Sequence, residues 1–369
     1  MIPPSRRGVL AGLAALAAAP VAPAWAALGT PGAPPAFLAA GKLPSGAFAL
    51  HGLTAEGDVA FAVPLPNRGH AAAAHPHRPE AVAFARRPGT FALVLDCASG
   101  DALGRLEAPE GRHFYGHGAF LAGGSLLATT ENAVATGEGC LGIWDAADGY
   151  RRIGEVASGG IGPHEVIRLP GTDVLAVANG GIRTHPDTGR EKLNLDTMRP
   201  NLAYVADGVA AEIVELDDPR LSIRHVAARP DGTVAIGLQS QHPDTFLSVP
   251  LLALHRRGAA PEVLGADLAR RAEGYVGSVA WSGDGRRAAL TAPRGGFAAI
   301  LEDGEFTLLE RPDICGAAPA GAGLAFTDGL GGVLGEGGAR RHAIAWDNHL
   351  VPLAADAPGR QDARAGAGS

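Results

Sequence analysis

The sequence is poor in the features that mark several large classes of protein. Aromatic residues make up 5% and charged residues 19% of the 369 residues, and there are three widely spaced cysteines, Cys97, Cys140 and Cys315. This odd number without metal-type spacing is not a disulfide framework, so we expect partly buried, ordinary thiols. The formal net charge is −7 and no basic tract occurs. Nucleic acid and anionic membranes are therefore not expected partners.

Common catalytic motifs are also missing. The sequence has no Gly-x-Ser-x-Gly elbow, His-Glu-x-x-His helix, Cys-x-x-Cys-His haem site or phosphate loop. This argues against the familiar hydrolases, metalloproteases, cytochromes and nucleotide-using enzymes, but not against propeller enzymes with one active residue per blade. Glycine, in contrast, is frequent, with 53 residues. Many glycines between short apolar runs indicate tight turns and an all-β protein.

The first residues have the pattern of an export signal. Arg6-Arg7 precede an apolar stretch at 9–19, and Ala24-Trp25-Ala26 supplies a small-x-small cleavage pattern. We predict a twin-arginine signal peptide at 1–26 and a periplasmic mature protein, with a Sec signal as the alternative. The apolar stretch is too short to span a membrane. We further predict one domain at 27–355 and a disordered tail at 356–369.

A repeated pattern predicts the fold. Each unit reads as strand, turn, strand, loop, strand, turn, strand, with Asp/Gly turns typical of hairpins. Seven units begin near residues 70, 117, 164, 225, 277, 316 and 349, and the first two spacings are both 47 residues. That period is typical of a four-stranded propeller blade. The sequence therefore predicts a seven-bladed β-propeller.

The two ends of the chain complement each other. The last unit contains only a first strand. Three further predicted strands, at 36–40, 47–53 and 58–64, precede the first unit and belong to none of the seven. We expect the C-terminal strand to pair with these three and close the ring. Closure removes the open sheet edges that favour aggregation.

Histidines recur at one position of the repeat. Because first strands line the central channel of a propeller, their starting residues should lie at one channel mouth. Five of these starts carry His70, His117, His164, His225 and His349. Neutral imidazole is a good ligand for copper, zinc and iron, so we predict a site at the channel mouth for a metal ion, copper or iron, or for a small anionic ligand. The alternative is that each histidine only ties strands together by hydrogen bonds.

Further polar residues are predicted on the same face, where they would bind a ligand. These residues are Arg87, Tyr115, Glu131, Asn132, Glu165, Asn179, Arg183, His185, Arg294 and Asp347. The longest loop, 179–200, is predicted to be an ordered lid over the channel mouth, with a solvated excursion as the alternative. His75-Pro76-His77 has metal-like spacing but falls on an opposite-face turn, so we interpret it as surface.

Several long motifs resemble one known family. They are Gly111–Gly118, Thr130–Asn132, Gly160–Glu165, Ala178–Pro186, Gly189–Met198, Gly274–Ser278 and Trp346–Leu350. Over nearly the whole mature chain the sequence resembles the bacterial domain-of-unknown-function family 1513. The resemblance implies a twin-arginine-exported propeller encoded near imelysin-type proteins and di-haem oxidases linked to iron uptake. It implies no catalytic residue.

Three functions are compatible with these observations. The first is a non-enzymatic propeller that binds a transition metal, or a partner such as an imelysin-like protein or di-haem oxidase, through its histidine-rich face in metal acquisition. The second is an enzyme that uses the same face, either a metal-dependent oxidoreductase or a lactonase-like hydrolase. The third is an interaction platform without a ligand.

Overall fold

A computed structural model describes residues 33–86, 89–189 and 191–353. The predicted signal peptide at 1–26, Arg87 and the predicted tail at 356–369 lie outside these ranges, so those predictions stay predictions. Among the described residues, no helix combines the length and hydropathy that crossing a membrane requires.

The described chain forms seven four-stranded antiparallel sheets, each corresponding to one predicted unit. Blade 1 contains β4 (Gly69–Ala74), β5 (Glu80–Ala85), β6 (Phe91–Asp96) and β7 (Ala102–Glu107). Blade 2 contains β8 (Arg112–Leu121), β9 (Leu126–Ala133), β10 (Glu138–Asp145) and β11 (Arg151–Ile161). Blade 3 contains β12 (Pro163–Arg168), β13 (Leu175–Asn179), β14 (Asn201–Ala206) and β15 (Val209–Glu215).

The remaining blades follow the same order. Blade 4 contains β16 (Leu221–Ala228), β17 (Val234–Ser240), β18 (Leu252–His255) and β19 (Glu262–Leu264). Blade 5 contains β20 (Ser278–Trp281), β21 (Ala288–Ala292), β22 (Phe297–Glu302) and β23 (Glu305–Glu310). Blade 6 contains β24 (Ile314–Ala320), β25 (Gly323–Asp328), β26 (Gly332–Gly335) and β27 (Gly338–Arg341). Short helical turns occur at Ala122–Gly124, Pro186–Thr188, Ala266–Leu268 and Ala269–Ala272.

Blade 7 is built from both ends of the chain, as predicted. Its sheet order is β28 (Ala345–Pro352), β1 (Pro35–Lys42), β2 (Phe48–Thr54) and β3 (Val59–Leu65). The innermost strand β28 contacts β24 of blade 6 on one side and β4 of blade 1 on the other. The first strands of all seven blades contact their neighbours in this way, so the ring is closed.

Apolar side chains fill the space between neighbouring blades. One core cluster joins Val82 and Val94 of blade 1 to Phe114 and Trp144 of blade 2, and another joins blade 2 to blade 3. The outermost strands are largely exposed; in β7 only Leu106 is buried. Packing between sheets therefore fixes the inner strands, which carry the candidate site.

Irregular pairing marks the inner strands at their histidines. The register between first and second strands shifts between Gly69 and Ala72, between Phe114 and Gly118, and between Pro163 and Glu165. A β-bulge leaves a residue outside the ladder and redirects its side chain. In these three strands the shift includes His70, His117 and His164.

Candidate metal centre

The five predicted histidines converge at the centre of the ring. The ring centre of His70 lies 4.9 Å from that of His117, 5.5 Å from that of His164 and 4.5 Å from that of His349. The ring centre of His225 lies 4.9 Å from that of His164 and 5.2 Å from that of His349. Blades 7, 1, 2, 3 and 4, which are consecutive around the ring, each supply one imidazole.

The cluster is buried, which differs from the open channel mouth that the sequence predicts. The five side chains are between 2% and 8% exposed. Burial lowers the pKa of His70 to about 4 and places the pKa values of His117, His164 and His349 well below the ordinary value. These imidazoles are neutral at pH 7. Neutral imidazole is the form that binds metal ions.

Neighbouring blades orient two of the rings through Nδ1. His164 Nδ1 donates a hydrogen bond to the backbone oxygen of Arg224 at 2.9 Å, and His225 Nδ1 donates to Glu165 Oε2 at 3.1 Å. His117 Nδ1 lies 3.7 Å from Glu165 Oε1. Metal-binding histidines commonly contact a carbonyl or carboxylate through the nitrogen that does not face the ion. In His164 this arrangement leaves Nε2 as the available donor atom, whereas Nδ1 of His117 and of His225 faces a carboxylate that is itself a possible metal ligand.

Several ring nitrogens of the cluster lack a hydrogen-bond partner. His117 Nε2 and His349 Nε2 are buried without one among the described residues. A buried, unsatisfied polar atom is costly, so such atoms call for a ligand or an ordered water. Donor atoms of His70, His117 and His164 lie within 4.8 Å of one another. Imidazoles that share an ion at a metal–nitrogen distance of about 2.1 Å have ring centres about 5 Å apart, so these residues fit a transition metal.

Asp347 connects the histidines to two arginines. It is 4% exposed, and its carboxylate accepts hydrogen bonds from Arg68 at 2.5 Å and Arg86 at 3.1 Å. His70 Nδ1 lies 3.7 Å from Asp347 Oδ1. Burial opposes ionisation of Asp347, but its contact with His70 and the charges of Arg86 and Arg68 outweigh it and hold its pKa well below the usual range. Asp347 is therefore an anion beside the cluster.

Gly116 allows the backbone of β8 to lie close to the imidazole ring of His70. Gly116 has a φ of +105°, and a Cβ at this position would lie 2.5 Å from the ring of His70. A larger residue would strain the backbone and displace that ring.

Glu131, a predicted ligand-binding residue, instead belongs to a structural network in blade 2. Arg152 Nη1 donates to both its carboxylate oxygens, at 2.6 and 2.8 Å. Thr129 donates to Glu131 Oε1 at 2.7 Å and accepts a hydrogen bond from Trp144 Nε1 at 2.9 Å. Burial raises the pKa of Glu131 despite the nearby arginine. This network joins β9, β10 and β11.

Asn179, Asn132 and Tyr115 are also buried outside the imidazole cluster. Asn179 bonds to Ser158 and to Asn201 at 2.8 to 2.9 Å, which ties blade 3 to blade 2. Tyr115 Oη lies 3.4 Å from the hydroxyl of Thr184. The side-chain amide of Asn132 is fully buried and has no hydrogen-bond partner among the described residues.

The long loop is held by contacts to several blades. Arg183 donates to the backbone oxygen of Ala135 in blade 2, and Lys192 Nζ donates to Gln241 at 2.6 Å. Asp196 pairs with Arg220 at 3.0 Å. The described part of the loop is thus held against blades 2 and 4. Asp196 forms an ion pair, whereas Arg183 and Lys192 bond to neutral oxygens, and a role as a lid stays a prediction.

Two predicted ligand residues make local contacts. His185 Nδ1 accepts a hydrogen bond from the backbone of Asp187 at the start of the Pro186–Thr188 turn. Arg294 lies over the ring of Tyr275, with 4.4 Å from its guanidinium carbon to the ring centre.

A cavity adjoins the cluster at Asp347. Its volume is about 330 Å³, and its lining includes Arg68, Asp313, Trp346, Asp347 and Asn348. Arg68, a residue that the sequence analysis missed, both lines this cavity and binds Asp347. Its position two residues before His70 is the one sequence feature that could have drawn attention to it.

Fold and site together define the class: a seven-bladed β-propeller with a buried cluster of histidines that could hold a metal. The chain belongs to the family described as "Protein of unknown function (DUF1513)", which residues 63–353 match. The resemblance seen in the sequence is thereby confirmed. No curated protein sequence matches the chain.

Solved structures are similar in fold alone. Kuenenia stuttgartiensis hydrazine synthase superposes with a TM-score of 0.60 at 11% identity, covering 80% of this chain and 90% of that one. BBS1N, solved in complex with ARL6DN, gives a TM-score of 0.50 at 11% identity, with 84% and 85% covered. At this identity neither structure indicates a function for this chain.

Proposed function

We propose that this protein binds a transition metal through the five-histidine cluster in its channel. The observation that carries the proposal is the convergence of five buried imidazoles from five blades, with ring centres between 4.5 and 5.5 Å apart for contacting pairs. Glu165 and Asp347 lie against these rings and would orient them. Imidazole and carboxylate donors suit copper, iron, zinc and nickel.

Metal analysis of the full-length, untagged protein tests the proposal. After incubation with Cu(II), Zn(II) or Fe(II) and removal of excess metal, we expect stoichiometric metal that is lost in the His117→Ala/His164→Ala variant. The matched control is His75→Ala/His255→Ala, which removes two buried histidines that bond to protein atoms outside the cluster. Wild-type protein that retains no metal, or equal retention by the cluster variant, would overturn the proposal.

We further propose that this function operates in the periplasm. The support is the twin-arginine pattern at Arg6-Arg7. Replacing both residues by lysine should retain the protein in the cytoplasm, as measured by fractionation. Periplasmic recovery of that variant, abolished only when Sec export is blocked, would favour the Sec alternative.

A role in metal acquisition gives specific candidate partners. Imelysin-like proteins and di-haem oxidases are the candidates, because the resemblance implies genes near theirs. Binding of purified candidates to metal-loaded protein, compared with the His117→Ala/His164→Ala variant, tests this part. Failure of both candidates to bind would remove the support for these partners and leave metal binding itself unaffected.

The cavity favours one second candidate, a metal-dependent enzyme. Its wall includes Asp347, which also contacts His70, so a small molecule bound there would lie next to the cluster. A turnover screen of oxidase and lactone substrates on the metal-loaded protein tests this function. Activity that persists in the metal-free double variant would exclude the cluster as its centre.

A further inference from the structure

The cluster offers more donors than a single tetrahedral ion uses. A four-coordinate ion takes four ligands, whereas five imidazoles and the Glu165 carboxylate meet here. Two groups of donor atoms, each within 4.8 Å, are His117–Glu165–His349 and His164–Glu165–His225. They have no histidine in common, and they share Glu165.

The two oxygens of Glu165 approach different histidines. Oε1 lies 3.7 Å from His117 Nδ1, and Oε2 lies 3.1 Å from His225 Nδ1. The backbone N–H of Val226 also donates to Oε2 at 3.2 Å, which fixes the carboxylate between blades 2 and 4. A carboxylate with one oxygen directed to each of two donor groups has the geometry of a bridging ligand when each ion lies between an oxygen and the Nδ1 that faces it. At His225 the ion would replace the proton of the Nδ1–H···Oε2 hydrogen bond.

We infer that the cluster binds two transition-metal ions bridged by the Glu165 carboxylate, an inference that rests on the proposed metal binding. His117 and His349 hold the first ion, and His70 completes its ligands because its ring centre is 4.9 and 4.5 Å from theirs. His164 and His225 hold the second ion. Metal pairs in proteins are typically about 3.5–4 Å apart. The class of ligand is a pair of divalent ions that accept nitrogen and oxygen donors.

A single-ion arrangement is the competing interpretation. His70, His117 and His164 form a third group of donors within 4.8 Å, with ring centres 4.9, 5.1 and 5.5 Å apart. One ion there would use three of the five histidines. It would leave His225, His349 and Glu165 without a metal, although His349 Nε2 is also buried without a partner. Two ions use all of these groups.

Stoichiometry distinguishes the two arrangements. The full-length, untagged protein is saturated with Cu(II), freed of excess metal and measured for copper and protein content. We expect two ions per chain and a magnetically coupled electron paramagnetic resonance spectrum. One ion per chain, or two ions with independent spectra, would overturn the bridged pair and leave the proposed metal binding standing. No bound ion would overturn both.

Glu165→Gln tests the bridge directly, because an amide lacks the charge and the second equivalent oxygen of a carboxylate. We expect binding to fall to one ion per chain with an uncoupled spectrum. Glu310→Gln is the matched control, since Glu310 is exposed and pairs with Arg271 on blade 5. Circular dichroism melting confirms that both variants fold. A folded Glu165→Gln protein that keeps two coupled ions would contradict the inference.

Discussion

His225 Nδ1 donates a hydrogen bond to Glu165 Oε2 at 3.1 Å, although the two residues are 60 positions apart and belong to neighbouring blades. His164 makes a second contact between the same two blades, donating from Nδ1 to the backbone oxygen of Arg224. Blades 3 and 4 thus each orient an imidazole of the other blade. The cluster exists only when the ring is assembled, so the stability of the fold and the geometry of the site depend on each other.

Asp347→Asn should destabilise the protein because it removes a buried negative charge from beside two arginines. Removing one partner of a buried ion pair typically costs 3–5 kcal/mol, and Arg68 is 45% exposed, so we expect about 2 kcal/mol. Urea denaturation measures this difference. Asp58→Asn breaks the exposed pair with Arg340 and should change stability by no more than about 0.5 kcal/mol. Equal effects of the two substitutions would contradict the role of Asp347.

Stability should fall steeply as the solution is acidified. Burial lowers the pKa of His51, His70 and His75 from 6.5 to about 4. Between these values the unfolded chain binds protons that the folded chain does not bind. The free energy of unfolding therefore decreases as the pH drops from 6.5 to 4, by about 1.4 kcal/mol per pH unit for each such histidine. Denaturation curves measured from pH 7 to 4.5 would refute this expectation if they were superimposable.

Arg152→Met should affect folding but not metal binding. The substitution leaves the buried Glu131 carboxylate without its cation and removes the contact of Arg152 with the Trp144 ring. We expect a loss of about 3 kcal/mol in the free energy of unfolding, with metal content unchanged. Loss of metal by a folded Arg152→Met protein would instead return Glu131 to the site, as the sequence first predicted.

The repeat and its closure could be predicted from the sequence because hairpin turns and apolar alternation are local. Glycine at Gly232 has a φ of +85°, and Asp231 accepts a hydrogen bond from the backbone of Thr233, as a hairpin turn requires. The convergence of the five histidines could be predicted because each occupies the same position, the start of the first strand, in its unit. Seven blades and the composite blade 7 are both confirmed.

The finer features of the site could not be predicted in this way. The β-bulges that redirect His70, His117 and His164 depend on pairing with the second strand and have no simple residue signature. Glu131 and Glu165 look equivalent in the sequence. Glu131 faces Arg152 on an outer strand, whereas Glu165 faces histidines of two blades. Only the packing of the folded chain distinguishes their roles.

The interpretation of His75-Pro76-His77 as surface is wrong for His75 and correct for His77. His77 is exposed, but His75 is 5% exposed, and its ring nitrogens bond to the backbone of Gly124, His77 and Arg78. A histidine at a turn can be buried when the neighbouring blade covers it, and that neighbour is not evident from the local sequence.

The three cysteines should be unreactive in the folded protein. Cys97, Cys140 and Cys315 are free and buried, more completely than the sequence indicated. Burial raises the pKa of Cys97 and Cys140 to about 12 and raises that of Cys315 further. Because the thiolate is the reactive form, a disulfide reagent at pH 8 should modify none of them until urea unfolds the chain and exposes three. Rapid modification of the native protein would contradict this packing.

Removing β28 should abolish the fold and the cluster together. A chain truncated after residue 344 loses the innermost strand of blade 7, which pairs with β1 and contacts β4 and β24. It also loses His349 and Asp347. Strand β1 would then present an open edge, so we expect aggregation and no cooperative melting transition. Truncation after residue 355, the predicted end of the domain, is the control and should melt like the full chain. A 344-residue protein that melts cooperatively near the wild-type temperature would show that ring closure is not needed for stability.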